Sequence, residues 1–142
     1  MTLRTYDPNE VSIIFGGIVV EGFADGTFLS VESNEDAFSL QVGTDGEGTR
    51  SRTSNKSGRA TFTLMQSSAS NQALSALHNL DISTPAGDGI VPLLIKDNSG
   101  TSLYAAEKAW IVRQPTSGFG REAESREWIV ETDLMIHTIG GN

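Results

Sequence analysis

"REWIVETDLMIHTI", Arg126 to Ile139, alternates apolar and polar residues almost without a break. Trp128, Val130, Leu134 and Ile136 fall on one side of an extended chain, and Glu131, Asp133 and His137 on the other. A period of two belongs to a strand with one face on a core and one in water, whereas a helix needs a period near 3.6. The same alternation occurs in "AFSLQV" (37–42), where Phe38, Leu40 and Val42 share a face, and in "RATFTLM" (59–65), with Phe62 and Leu64. "EVSIIFGGIVV" is rich in β-branched residues and reads as a strand over roughly 11–21, with Gly16 and Gly17 marking a bulge or bend. Asp25-Gly26 stands between two apolar runs, a hairpin signal that turns the chain into a second strand at about 27–33. "GIVPLLIKDNSGTSLYAAEKAWIVRQP" reads as strand, turn at Asp97-Asn98-Ser99-Gly100, strand, with Pro92 favouring an edge or a bulge.

One segment changes period. In "QSSASNQALSALHNLD", Ser67, Ser68 or Ser70 can cap a helix whose stripe is Ala73, Leu74, Leu77 and Leu80, and Pro85 and Gly87 close it. There is no βαβ rhythm and no internal repeat. The expected fold is mainly β, an antiparallel β-sandwich or barrel of about seven strands with one short packed α-helix. The 142 residues fit a single domain, 1–142, with a real core.

Composition excludes several chemistries. The chain has no cysteine, so disulfides, thiolate metal sites and a cysteine nucleophile are absent. No apolar run is long enough to span a bilayer and "MTLRTYDPNE" lacks the apolar core of a signal peptide, so a soluble cytoplasmic product without membrane insertion is expected. The formal net charge is −8, the wrong sign for a protein that grips phosphates. Residues 1–48 hold nine carboxylates against Arg4 alone, while residues 49–142 hold nine acids and nine bases. The surplus therefore sits in the first third. His78 and His137 have no partner in sequence, no G-x-S-x-G elbow surrounds any serine, and Asp45 with Glu47 lacks the further oxygen ligands of a calcium loop. No catalytic residue, cofactor site or metal site is assigned.

"VGTDGEGTRSRTSNKSG", Val42 to Gly58, reads as a long polar loop over 43–58 joining two strands, the tip of one long hairpin. Arg50, Arg52, Lys56 and Arg59 cluster there without the aromatic platforms that base stacking needs. A basic loop on an acidic protein suits a complementary contact with another copy.

Longer strings carry a resemblance. "EGFADGTFLSVE", "NEDAFSLQVGTDGEGTRSRTSNKSGRATFTLMQSSASNQALSAL", "PLLIKDNSGTSLYAAEKAWI", "FGREAESREWIVE" and the final "GGN" resemble the tail tube proteins of contractile-tailed phages. The resemblance implies a structural, non-enzymatic virion protein assembled in the host cytoplasm into hexameric rings that stack into a tube. Inner sheets would join edge to edge around a channel that conducts DNA, and the long hairpin would reach a neighbour. Sheath, tape measure and baseplate proteins are the implied partners. On that reading Asp45, Glu47, Arg50, Arg52, Lys56 and Arg59 form subunit or ring contacts. Glu21, Asp25, Glu32, Glu35 and Asp36 line the lumen, where carboxylates repel the phosphate backbone. The alternatives are a baseplate or tube-capping virion protein of related fold, and a β-sandwich binding module.

Overall fold

The computed structural model describes residues 3–141. Its strands are β1 (Val11–Phe15), β2 (Ile18–Val19), β3 (Leu29–Ser33), β4 (Phe38–Val42), β5 (Gly48–Arg52), β6 (Gly58–Met65), β7 (Val91–Asp97), β8 (Leu103–Arg113), β9 (Ser125–Thr132) and β10 (Ile136–Thr138). The α-helix is α1 (Ser70–Ser83), and a 3-10 turn, Pro8–Glu10, precedes β1. Eight strands form one antiparallel sheet in the order β2-β1-β7-β8-β9-β6-β3, with β10 added on β8. The long β8 makes this possible, since Leu103–Ala105 pair with β10 and Ala109–Arg113 with β9. The sheet curls around its core without closing. Strands β4 and β5 pair only with each other.

The mainly β expectation holds, with one helix on the sheet. The core face carries Ile13 and Phe15, Phe62 and Leu64, Leu93 and Ile95, Ile111, Trp128 and Val130, all essentially excluded from water. Each pair is spaced by two residues, as alternation requires. Helix α1 adds Leu74, which is 0% exposed. The Trp128 indole Nε1 donates to Asn71 Oδ1 at 2.9 Å and ties the start of α1 to β9. Pro92 sits where the β7–β8 register shifts, so the residue lacking an N–H occupies the bulge.

Several local readings are corrected. Residues 11–21 are a tight hairpin and not one bent strand: Gly16 (φ 59) and Gly17 (φ 84) turn β1 onto β2, pairing Phe15 with Ile18. Two successive positive φ angles are what a two-residue hairpin turn demands. Asp25-Gly26 is a turn, but β2 and β3 do not pair; β3 pairs with β6 (Leu29 with Phe62, Ser33 with Gly58). The helix stripe also shifts, since Ser70, Leu74 and His78 are buried while Leu80 is 46% exposed. Its N-cap is Ala69, and Ser68 Oγ accepts from the Ser70 N–H at 3.2 Å. In the last strand, Arg126, Trp128, Val130 and Thr132 face inward, and Leu134 and Ile136 face solvent because the chain breaks between β9 and β10 to bury Met135.

Candidate assembly interface

The polar stretch after Val42 is not a loop throughout. The reversal is confined to residues 43–47, where the Gly43 N–H donates to Glu47 O at 2.8 Å and Gly46 adopts φ 88. Residues 48–52 return as β5, pairing Phe38 with Arg52, Leu40 with Arg50 and Val42 with Gly48. Below this, Thr53 N–H donates to Ala37 O at 2.9 Å and Asn34 N–H to Ser57 O at 3.2 Å, bridging to the β3–β6 pair. Residues 29–65 therefore form one ribbon, its base in the main sheet and its tip standing off. The turn is shorter than the 43–58 loop the sequence indicated, because Gly48–Arg52 pair with β4 as a strand.

The distal ribbon is two-faced. Phe38, Leu40 and Val42 lie on one side with Arg50 and Arg52, whose guanidinium carbons stand 3.9 Å and 5.4 Å from the Phe38 ring centroid. Ser39, Gln41, Thr49 and Ser51 lie on the other, where Ser51 Oγ donates to Gln41 Oε1 at 3.0 Å. Every residue of both strands is exposed. A two-stranded ribbon in water is marginally stable on its own. Leucine at 68% and valine at 61% exposure on one narrow face leave apolar surface that none of the described residues covers. Sequence reading placed these three residues correctly on one face but gave no sign that the face would lie outside the core.

The charged candidates separate into groups. Asp45 and Glu47 sit in the tip turn, where Asp45 Oδ1 accepts from the Glu47 N–H at 3.2 Å. Lys56 lies in the return arm, its carbonyl accepting from the Met135 N–H at 3.1 Å. Arg59 is engaged within the chain: its Nε donates to Glu131 Oε1 at 2.8 Å, the one ion pair among the described residues. Glu32 is its cross-strand neighbour on β3, so Glu32, Arg59, Glu131 and Trp110 make one row on the outer face of the sheet. Glu35 Oε2 accepts from Thr53 Oγ1 at 3.2 Å at the base of the hairpin, and Asp36 is exposed beside it. Glu21 and Asp25 lie at the opposite end of β6, where Ser68 Oγ donates to Glu21 O at 2.6 Å. The five acids thus form two exposed groups, about 20 Å apart along β6. Among the described residues no group of three or more His, Asp or Glu side chains could hold a metal ion. No helix among the described residues is long and apolar enough to cross a membrane.

Sequence inspection missed Arg126. It is 6% exposed, donates to Gly118 O and Ser125 O at 3.1 Å each, and lies 5.2 Å from the Phe119 ring, pinning the long connection before β9.

A family model described as "Bacteriophage PhiTE tail tube protein" matches residues 14–140. The chain belongs to that family. A curated relative, "Structural protein ORF10" of Pseudomonas phage KPP10, is 38% identical over 144 residues, covering 97% of this chain and 83% of the relative. Tail tube folds of this kind also appear in solved contractile assemblies. The sheath/tube terminator of an extracellular contractile injection system, PVC, superposes with TM-score 0.60 at 10% identity, covering 98% of this chain and 100% of that one. The anti-feeding prophage cap gives 0.59 at 7% identity, covering 97% and 93%. A chain of the PVC sheath-tube complex gives 0.61 at 10% identity, covering 94% and 91%. The protein is a phage structural protein of the tail tube family, and so part of the virion.

Proposed function

We propose that this tail tube protein is the repeating subunit of the tube, assembling into hexameric rings that stack around a channel for DNA, with no catalytic role. The observation that carries the reading is the distal ribbon: ten exposed strand residues with an apolar face and two arginines, built to be covered by something outside the chain. The β3 strand, at the end of the strand order, offers a free edge on which a neighbouring copy's strand can pair, so a ring removes an edge that would otherwise aggregate. Arg50, Arg52 and Lys56 then meet carboxylates of an adjacent copy, with Asp45 and Glu47 as the complementary charges. Arg59 contributes by holding Glu131 in the outer row. Glu21, Asp25, Glu32, Glu35 and Asp36 line or flank the lumen, where repulsion keeps DNA from sticking; screening confines this to side chains within about 8 Å of the passing phosphates. Sheath, tape measure and baseplate proteins are the partners this reading assigns, with subunits assembling in the host cytoplasm.

A second reading is a ring that ends a tube, favoured by the comparable superposition on a terminator and a cap. Electron microscopy of the purified protein separates the two: tubes of many stacked rings are expected, and single rings would replace the first reading with the second. In a tube structure at least two of the five carboxylates should lie on the channel wall; a basic wall would overturn the lumen assignment.

A further inference from the structure

Arg126 is a buried cation without a counter-charge. It sits on the core face of β9 in line with Trp128 and is 6% exposed. A guanidinium carries five N–H donors. Two of them are used, Nη1 donating to Ser125 O and Nη2 to Gly118 O at 3.1 Å each. Among the described residues the one ion pair joins Arg59 to Glu131, so no carboxylate of theirs stands within 4.0 Å of the Arg126 guanidinium. Glu124, two residues earlier, lays its carboxylate against Gly118 instead. Burying a charge is costly unless an opposite charge meets it, and two neutral carbonyls answer only part of that cost.

A pocket of about 370 Å³ opens over this side chain, between the first half of α1 and the connection from β8 to β9. Its lining includes Arg126 and no acid, a positive spot on a chain whose net charge is −8. Asn71 in the lining is used for structure, since its Oδ1 accepts from Trp128 Nε1 and its Nδ2 donates to Met65 O, each at 2.9 Å. Other groups are not. Gln66 Oε1 accepts from the Glu124 N–H at 3.0 Å, which leaves the Gln66 amide NH2 unmatched among the described residues. The Ser75 hydroxyl is unmatched there too, because Gln114 Nε2 reaches the Ser75 carbonyl instead, at 3.5 Å. Phe119, 81% exposed and 5.2 Å from the guanidinium carbon, supplies an apolar wall.

We propose that this pocket is a carboxylate-binding site. A carboxylate meets a guanidinium through two parallel hydrogen bonds, and the Gln66 amide and Ser75 hydroxyl are further neutral donors for the same oxygens. One cation among neutral donors balances one negative charge. A phosphate monoester carries about −1.5 to −2 and would leave charge unmatched. The apolar wall takes the methylenes of a short stem, as in an Asp or Glu side chain of another chain or in a small organic acid. The N–H groups left over on Arg126 do the binding, so its contacts to Gly118 and Ser125 persist in the loaded pocket. The assignment is independent of how copies of the chain assemble.

The test is an NMR titration of the isotopically labelled full chain, kept below the concentration at which it assembles. The probe is N-acetylglutamate methylamide, with N-acetylglutamine methylamide as the uncharged match of the same shape. The acid should shift the Arg126 Nε–H and Gln66 side-chain amide signals saturably, and bind at least about tenfold more tightly than the amide. Arg126→Gln should remove that preference. Because Arg126 also braces the chain, Ser75→Leu is the second variant: it fills the pocket from the helix, leaves Arg126 in place, and should weaken the acid about tenfold or more. Assembly then names the source of the carboxylate. If Ser75→Leu raises the concentration needed for assembly about fivefold or more, the acid belongs to a neighbouring copy; if it leaves assembly unchanged, the acid belongs to a different chain or a small molecule. No saturable shift at Arg126, equal binding of the amide, or undiminished binding by the Ser75→Leu protein would each overturn the site and leave Arg126 as a brace alone. None of these outcomes touches the tube reading, which stands or falls on whether the wild-type protein forms stacked rings.

Discussion

Truncating Leu40 separates assembly energy from folding energy. The residue sits in the middle of the hairpin's apolar face and is 68% exposed. Fully burying a leucine is worth about 1.5–3 kcal/mol, so covering the part still in water contributes about 1–2 kcal/mol. Alanine keeps roughly a third of that apolar surface, which puts the loss for Leu40→Ala near 1 kcal/mol. Each subunit that joins a growing assembly seats one hairpin, so the loss counts once per subunit. At 1.4 kcal/mol per factor of ten, the concentration at which assembly begins should rise about fivefold. Leu40→Asp should abolish assembly, because a carboxylate would have to leave water without a partner. Light scattering against protein concentration reads the first effect. Urea unfolding followed by the fluorescence of Trp128, which is 1% exposed, reads the second. Both variants should leave the urea midpoint within about 0.5 kcal/mol of wild type, since Leu40 touches no core residue. An unchanged assembly concentration in both variants would refute the reasoning. So would a parallel fall in the urea midpoint, which would mean that the hairpin packs on its own domain.

The helix offers an internal comparison: Leu74→Ala, at 0% exposure, should cost about 2–5 kcal/mol in urea unfolding, whereas Leu80→Ala, at 46% exposure, should stay within about 0.5 kcal/mol. Equal losses would mean that the helix packs through a different face. At the β1–β2 turn, Gly16→Ala should lower the thermal midpoint more than Gly17→Ala. Both impose a left-handed conformation costing about 1–2 kcal/mol, but a Cβ on Gly16 would lie 2.7 Å from Val91 Cβ while one on Gly17 meets nothing within 4 Å. The reverse order of midpoints would overturn that reading of the turn.

Much of this protein is legible in local pattern. Alternation in 59–65 and 126–132 marked strands that do carry core residues, the leucine stripe after Gln66 marked the helix, and Pro92 marked the bulge where the β7–β8 register shifts. Family membership was equally legible, since the long string from Asn34 to Leu77 lies within the matched region. These features depend on neighbours a few residues apart, whose geometry the chain specifies wherever it folds. Partner choice does not. Residues 38–42 and 60–64 alternate alike, yet Phe62 and Leu64 are 0% exposed while Leu40 and Val42 stand in water. The difference is that β6 runs between β9 and β3 over a filled core, whereas β4 has only β5 beside it and nothing beneath. The pocket over Arg126 was invisible for the same reason, because its lining is drawn from Gln66, the helix and the connection before β9, which meet only in the folded chain. Alternation is a property of one strand; burial is a property of whatever lies across from it.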